Sequence, residues 1–119
     1  MEDKIAYSDV QCTKHINAVE DALYVLGGKW KLRIVIALFS GCTRFNELQR
    51  TINGISARVL SNELKQLEMN GLLERVVHAD KSPVVVEYIP TDYTATLHEV
   101  VTVLADWGEK HRKKIIADA

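Results

Sequence analysis

Two cysteines, Cys12 and Cys42, are too few for a disulfide framework, and neither has a further ligand at a zinc-like spacing. This fits a reducing compartment. No apolar run approaches the roughly 18 residues of a membrane span, and the opening MEDKIAYSDV is acidic where a signal peptide is basic. The expectation is a cytoplasmic protein with no membrane partner. The chain also lacks a glycine-rich phosphate loop following a strand. Its four histidines, His15, His78, His98 and His111, fall on separate segments, and no serine, histidine and carboxylate form a recognisable group. Nothing marks an enzyme, and no cofactor or metal is expected. Repeats, low-complexity segments and linkers are missing as well. One domain is the default for 119 residues, and an apolar content of 47% supplies one continuous core. A domain this small buries a modest share of its surface, so self-association would be a natural addition.

Net charge is nearly lacking too, at −1. That average hides a strong asymmetry. Between Lys29 and Lys65 the cations are Lys29, Lys31, Arg33, Arg44, Arg50, Arg58 and Lys65, against Glu47 and Glu63 alone, a balance of +5 that leaves −6 for the remainder. A basic middle with acidic flanks can show one positive face to a polyanion while the whole stays close to neutral. The same charges are also what ordinary solvated helices carry.

Periodicity divides the chain into four helices, a hairpin and a last helix. Val19, Ala22, Leu23 and Leu26 predict a short helix over Ala18 to Leu26, stopped by Gly27-Gly28. A second runs from about Trp30 to Ser40. Thr43 is a candidate cap for a third, in which Phe45, Leu48 and Ile52 form a stripe. After the break Asn53-Gly54-Ile55-Ser56, Ser56 caps a fourth helix reaching about Asn70, with Gly71 as its stop. Leu60, Leu64 and Leu67 form its core stripe at i, i+4 and i+7. Arg58, Asn62 and Lys65 repeat that spacing on the other side, with Ser61 beside them. Strands over Leu73 to His78 and Val84 to Ile89 flank a turn at Ala79 to Pro83, and a broad apolar helix follows from Asp92 to about Ile116.

Two helices joined by a tight turn, the second polar on its outer face and followed by a hairpin, make a winged helix-turn-helix. The expected fold is thus mainly α with a β-hairpin wing. The break sets the angle that lets the fourth helix stand clear of the core and enter a major groove about 12 Å wide. Arg58 and Asn62 suit base edges, since a guanidinium pairs bidentately with guanine and an amide with adenine. Lys65, Arg44, Lys29 and Lys81 suit phosphates, which add affinity and salt dependence without sequence information. The competing reading of the helix is that Arg58 and Lys65 merely solvate it, with Arg58 paired to Glu63 or Asn62. A protein-interaction module is the rival for the whole chain, resting on Trp107 and the apolar face of the last helix; salt-dependent binding to duplex DNA separates the two.

The stretches LGGKWKLRIVIAL, RFNELQR, GISARVLSNELKQLEMNGLLERVV and PVVVEYIPTDY, in this order, resemble the successive signatures of the HxlR-type winged helix-turn-helix transcriptional regulators of bacteria. The likeness spans roughly Ala18 to Gly108, which gives an N-terminal arm over 1–17, the winged domain over 18–108, and the end of the last helix with a basic tail over 109–119. It implies a sequence-specific regulator of double-stranded DNA, a repressor or local regulator acting as a homodimer on an inverted-repeat operator. The first and last helices would hold the dimer, through Leu23, Leu97, Val101, Leu104 and Trp107. The DNA-reading role falls on the helix of Ser56, Arg58, Val59 and Leu60 and on the wing between Val77 and Val85. In some members a cysteine about ten residues before the Gly-Gly pair senses oxidants or electrophiles, so a redox or small-molecule effector enters as an expectation. That position is near Asn17 here, and Cys12, followed by Thr13, lies five residues earlier; an insertion would restore the correspondence. Cys42 stands where the family tends to have a turn proline and is read as structural. Asp92-Tyr93-Thr94 replaces the more usual acidic-x-Gly start of the last helix.

Overall fold

The computed structural model describes residues 6–118. Residues 1–5 of the expected arm and residue 119 of the expected tail lie outside the described residues. The helices are α1 (Asp9–Leu26), α2 (Lys31–Phe39), α3 (Phe45–Thr51), α4 (Ala57–Met69) and α5 (Leu97–Asp118), with strands β1 (Leu73–His78) and β2 (Val85–Pro90) between α4 and a 3-10 turn, Asp92–Thr96, that leads into α5. The strands pair antiparallel from Leu73 opposite Pro90 to His78 opposite Val85.

α1 begins well before the expected Ala18. Ser8 and Gln11 close a reciprocal cap: the Gln11 N–H donates to Ser8 Oγ at 3.2 Å, and the Ser8 N–H donates to Gln11 Oε1 at 3.0 Å. The apolar pattern misses this turn because nothing in it is buried against the protomer. At α3 the expected cap is also displaced. Glu47 reaches back to the N–H groups of Thr43 and Arg44, at 3.3 and 3.0 Å, which frees the Thr43 hydroxyl for the wing.

The core is made by one face each of α2, α3 and α4. Ile34, Val35, Leu48, Leu60, Leu64 and Leu67 are essentially sealed from solvent, together with Leu72 and Leu73 where the chain enters β1. α4 ends as its sequence indicates, since Gly71 takes a φ of +77° that an L side chain rarely adopts. The segment after the hairpin is fastened to this turn. Thr91 Oγ1 donates to the Gly71 carbonyl at 2.6 Å, and the buried Thr94 hydroxyl donates to the Leu72 carbonyl.

α1 and α5 depart from this body. No residue of α5 is fully buried, although Leu97 at its start packs against the core, and α1 fully buries only Leu26, at its end. The molecule measures 63 × 38 × 22 Å along its principal axes.

Candidate nucleic-acid interface

α4 is built to present one face. Ser56 Oγ accepts the Val59 N–H at 3.1 Å and so starts the helix at a fixed residue. Leu60, Leu64 and Leu67 then commit one side to the core, leaving Arg58, Asn62 and Lys65 exposed on the other and Ser61 half-buried at its edge. Gly54, with φ +86°, allows the sharp turn from α3 that orients this face outward.

The solvated-helix alternative pairs Arg58 with Glu63 or Asn62. Instead Glu63 Oε1 lies 3.2 Å from Lys31 Nζ, an ion pair between α4 and the start of α2 whose side chains are only 15% and 11% exposed. Among the described residues Arg58 and Lys65 are in no salt bridge. Lys31 is thereby removed from the surface charge, but Glu63 goes with it, and the excess of five cations in the basic segment is unchanged.

The wing is locked to the helix-turn-helix by Glu87. Its carboxylate accepts the Thr43 hydroxyl at 2.9 Å and lies 2.8 Å from His78 Nε2, while the Tyr88 N–H donates to the Thr43 carbonyl at 2.7 Å. These hydrogen bonds, Thr43 first and His78 next, hold the Glu87 carboxyl below its ordinary value of 4.5. A depressed folded value means that this contribution to stability is present above pH 4.5 and is lost as pH falls through the folded value. Glu87→Gln is expected to flatten the acid limb of a denaturation curve followed against pH, and an unchanged acid limb would refute the assignment.

The remaining candidates surround this frame. Arg44 sits before α3 on a groove of about 500 Å³ between α3 and β2, shared with Arg50, Asn46 and the wing residues Pro83 to Val86. Lys81 lies in the exposed turn of the wing. The Lys29 ammonium is 4.7 Å from the Trp30 ring centroid, with the Arg33 guanidinium 5.4 Å from the same ring. Sequence periodicity passed over Arg50, which its place on α3 brings beside Arg44, and Arg75. The two-residue repeat of β1 puts Arg75 on the side of Leu73, facing α4.

On the helices expected to pair, Leu23, Leu104 and Trp107 are exposed, whereas Val101 and Leu97 are half-buried, Leu97 against the core. Trp107 stacks on His111 with centroids 5.2 Å apart. Cys12 is an exposed thiol on α1; Cys42 Sγ is 3.5 Å from Thr51 Oγ1. The described residues contain no group of three or more metal-ligating side chains and no helix long and apolar enough to cross a membrane.

The family model of HxlR-like helix-turn-helix proteins matches residues 25–116. The chain belongs to the HxlR-like family. It is 38% identical over 97 residues to the HTH-type transcriptional regulator YdeP of Bacillus subtilis (strain 168), covering 82% of this chain and 75% of that protein. Among solved structures it is similar to the redox regulator HypR in its reduced form, with a TM-score of 0.77 and 36% identity over 84% of this chain and 98% of that one. It is also similar to the reduced form of the transcriptional regulator YodB from B. subtilis, with a TM-score of 0.70 and 34% identity over 78% of this chain and 90% of that one. This HxlR-like protein is a DNA-binding transcriptional regulator with a winged helix-turn-helix fold, and not an enzyme.

Proposed function

We propose that the protein acts as a homodimer on an inverted-repeat operator, placing α4 of each protomer in successive major grooves about one helical turn, roughly 34 Å, apart. The observation that carries the reading is the exposed Arg58, Asn62 and Lys65 stripe opposite the buried leucines of α4, whose two cations are in no salt bridge among the described residues. Arg58 and Asn62 read base edges from it, and Ser56 and Ser61 flank them. Lys65, Arg44, Lys29 and Lys81 hold phosphates, Arg44 from the N-cap of α3 and Lys81 from the tip of the wing. α1 and α5 form the dimer interface, and occupancy of the operator represses or locally regulates neighbouring genes.

Selection of binding sites from random duplex DNA tests this directly, with an inverted repeat as the expected winner. Arg58→Ala is expected to relax preference at one position of each half-site and to cost about 1–3 kcal/mol of binding for each half-site. A variant with undiminished selectivity would take Arg58 out of base readout.

A redox effector is the second reading. It is favoured by the exposure of Cys12 on an interface helix and by the similarity to HypR, a redox regulator. Oxidant titration of operator binding should then distinguish Cys12→Ser from the parent; identical responses would dismiss Cys12 as the sensor.

A further inference from the structure

The cleft between α4 and β1 gathers side chains that base reading does not use. Ser61, Lys65 and Glu68 fall at i, i+4 and i+7 along α4, sharing Lys65 with the reading stripe. Arg75 enters from β1 and Tyr88 from its register partner on β2. With Leu64 at the helix side, these residues line a space of about 330 Å³. Lys65 and Arg75 are in no ion pair among the described residues, Glu68 included. Two cations and two hydroxyls therefore share a cleft with one carboxylate. An anion seated between the cations would relieve their repulsion and gain two charge-assisted contacts.

We infer that this cleft seats a backbone phosphate of duplex DNA, with Arg75 and Lys65 as its charged contacts, Ser61 as a hydroxyl donor and Glu68 as a built-in opponent. The inference rests on the DNA-reading face proposed above. A phosphodiester is the fitting anion because the cleft opens beside that face and shares Lys65 with it. Glu68 weakens the seat, which limits the part of the binding energy that every sequence receives equally and leaves more of the discrimination to the base contacts.

The test measures binding to the selected operator and to a scrambled duplex across salt concentrations, for the parent, Arg75→Gln, Arg75→Lys and Glu68→Gln. Arg75→Gln should weaken both duplexes by the same factor and make the slope of log K against log salt shallower by up to about 1.8, at about 0.9 for the one phosphate that each of the two protomers seats. Arg75→Lys should keep the slope, and Glu68→Gln should tighten both duplexes. A different result follows if Arg75 only braces the hairpin against Glu68: both glutamine variants would lower the unfolding midpoint and leave the salt slope alone, overturning the inference. Parent-like binding by Arg75→Gln would overturn it too. Failure of the parent to bind any duplex in a salt-dependent way would remove the DNA-reading face along with it.

Discussion

Lys31→Ala is expected to destabilise the protomer by about 3 kcal/mol, because it leaves the Glu63 carboxylate nearly buried without its counter-charge. Lys31 Nζ and Glu63 Oε1 are 3.2 Å apart, with only 11% and 15% of their side chains exposed, so solvent offers the survivor little replacement. The loss belongs to the missing partner more than to the pair. Replacing Lys31 by Met and Glu63 by Leu together should recover most of it, since apolar groups of similar size remove the desolvation cost along with the attraction. Urea unfolding at one fixed protomer concentration measures this, with the midpoint moving and the m-value held. A Lys31→Ala midpoint within error of the parent would show that water reaches Glu63. The pair has a functional corollary: it ties the start of α2 to the middle of α4, so its loss also loosens the frame that presents Arg58. Operator affinity should fall under conditions where the variant is still folded.

The helix-turn-helix was legible because its signals are local. Ser56, the leucine repeat and Gly71 each act within a turn or two of their own position, and α4 runs where they indicate, from Ala57 to Met69. The strands were legible for the same reason, apart from a one-residue shift of β2 to Val85–Pro90. What the sequence withheld depends on long-range contact or on polar caps. Thr43 looks like an N-cap, but Glu47 supplies the cap and Glu87, 44 residues away, takes the Thr43 hydroxyl. Arg75 looks like a surface strand residue until the hairpin register turns it toward Lys65. The first half of α1 was missed because periodicity reports burial, and this helix has almost none within one protomer.

That missing burial leads to the other large effect. Leu104→Asp, on the exposed face of α5, is expected to yield a folded monomer that has lost about 10²–10⁴-fold in affinity for an inverted repeat, the gain that linking two modules ordinarily provides. Leu104 is 49% exposed and lies outside the core cluster, so the substitution leaves the core intact. It sits among Val100, Val103 and Trp107, also exposed, on a 22-residue helix with no buried residue. Left in water, such a row is a large apolar patch of the kind that marks association. In a two-fold interface each substitution occurs twice, which brings two new carboxylates into apolar surroundings. Sedimentation should show the monomer directly. Binding to a single half-site should stay near the parent value while binding to the full repeat collapses toward it, and the salt slope on the full repeat should roughly halve as half the phosphate contacts go. A Leu104→Asp protein that remains dimeric and keeps full-repeat affinity would mean that α5 does not hold the dimer, and the spacing of the two reading helices would have to be set elsewhere.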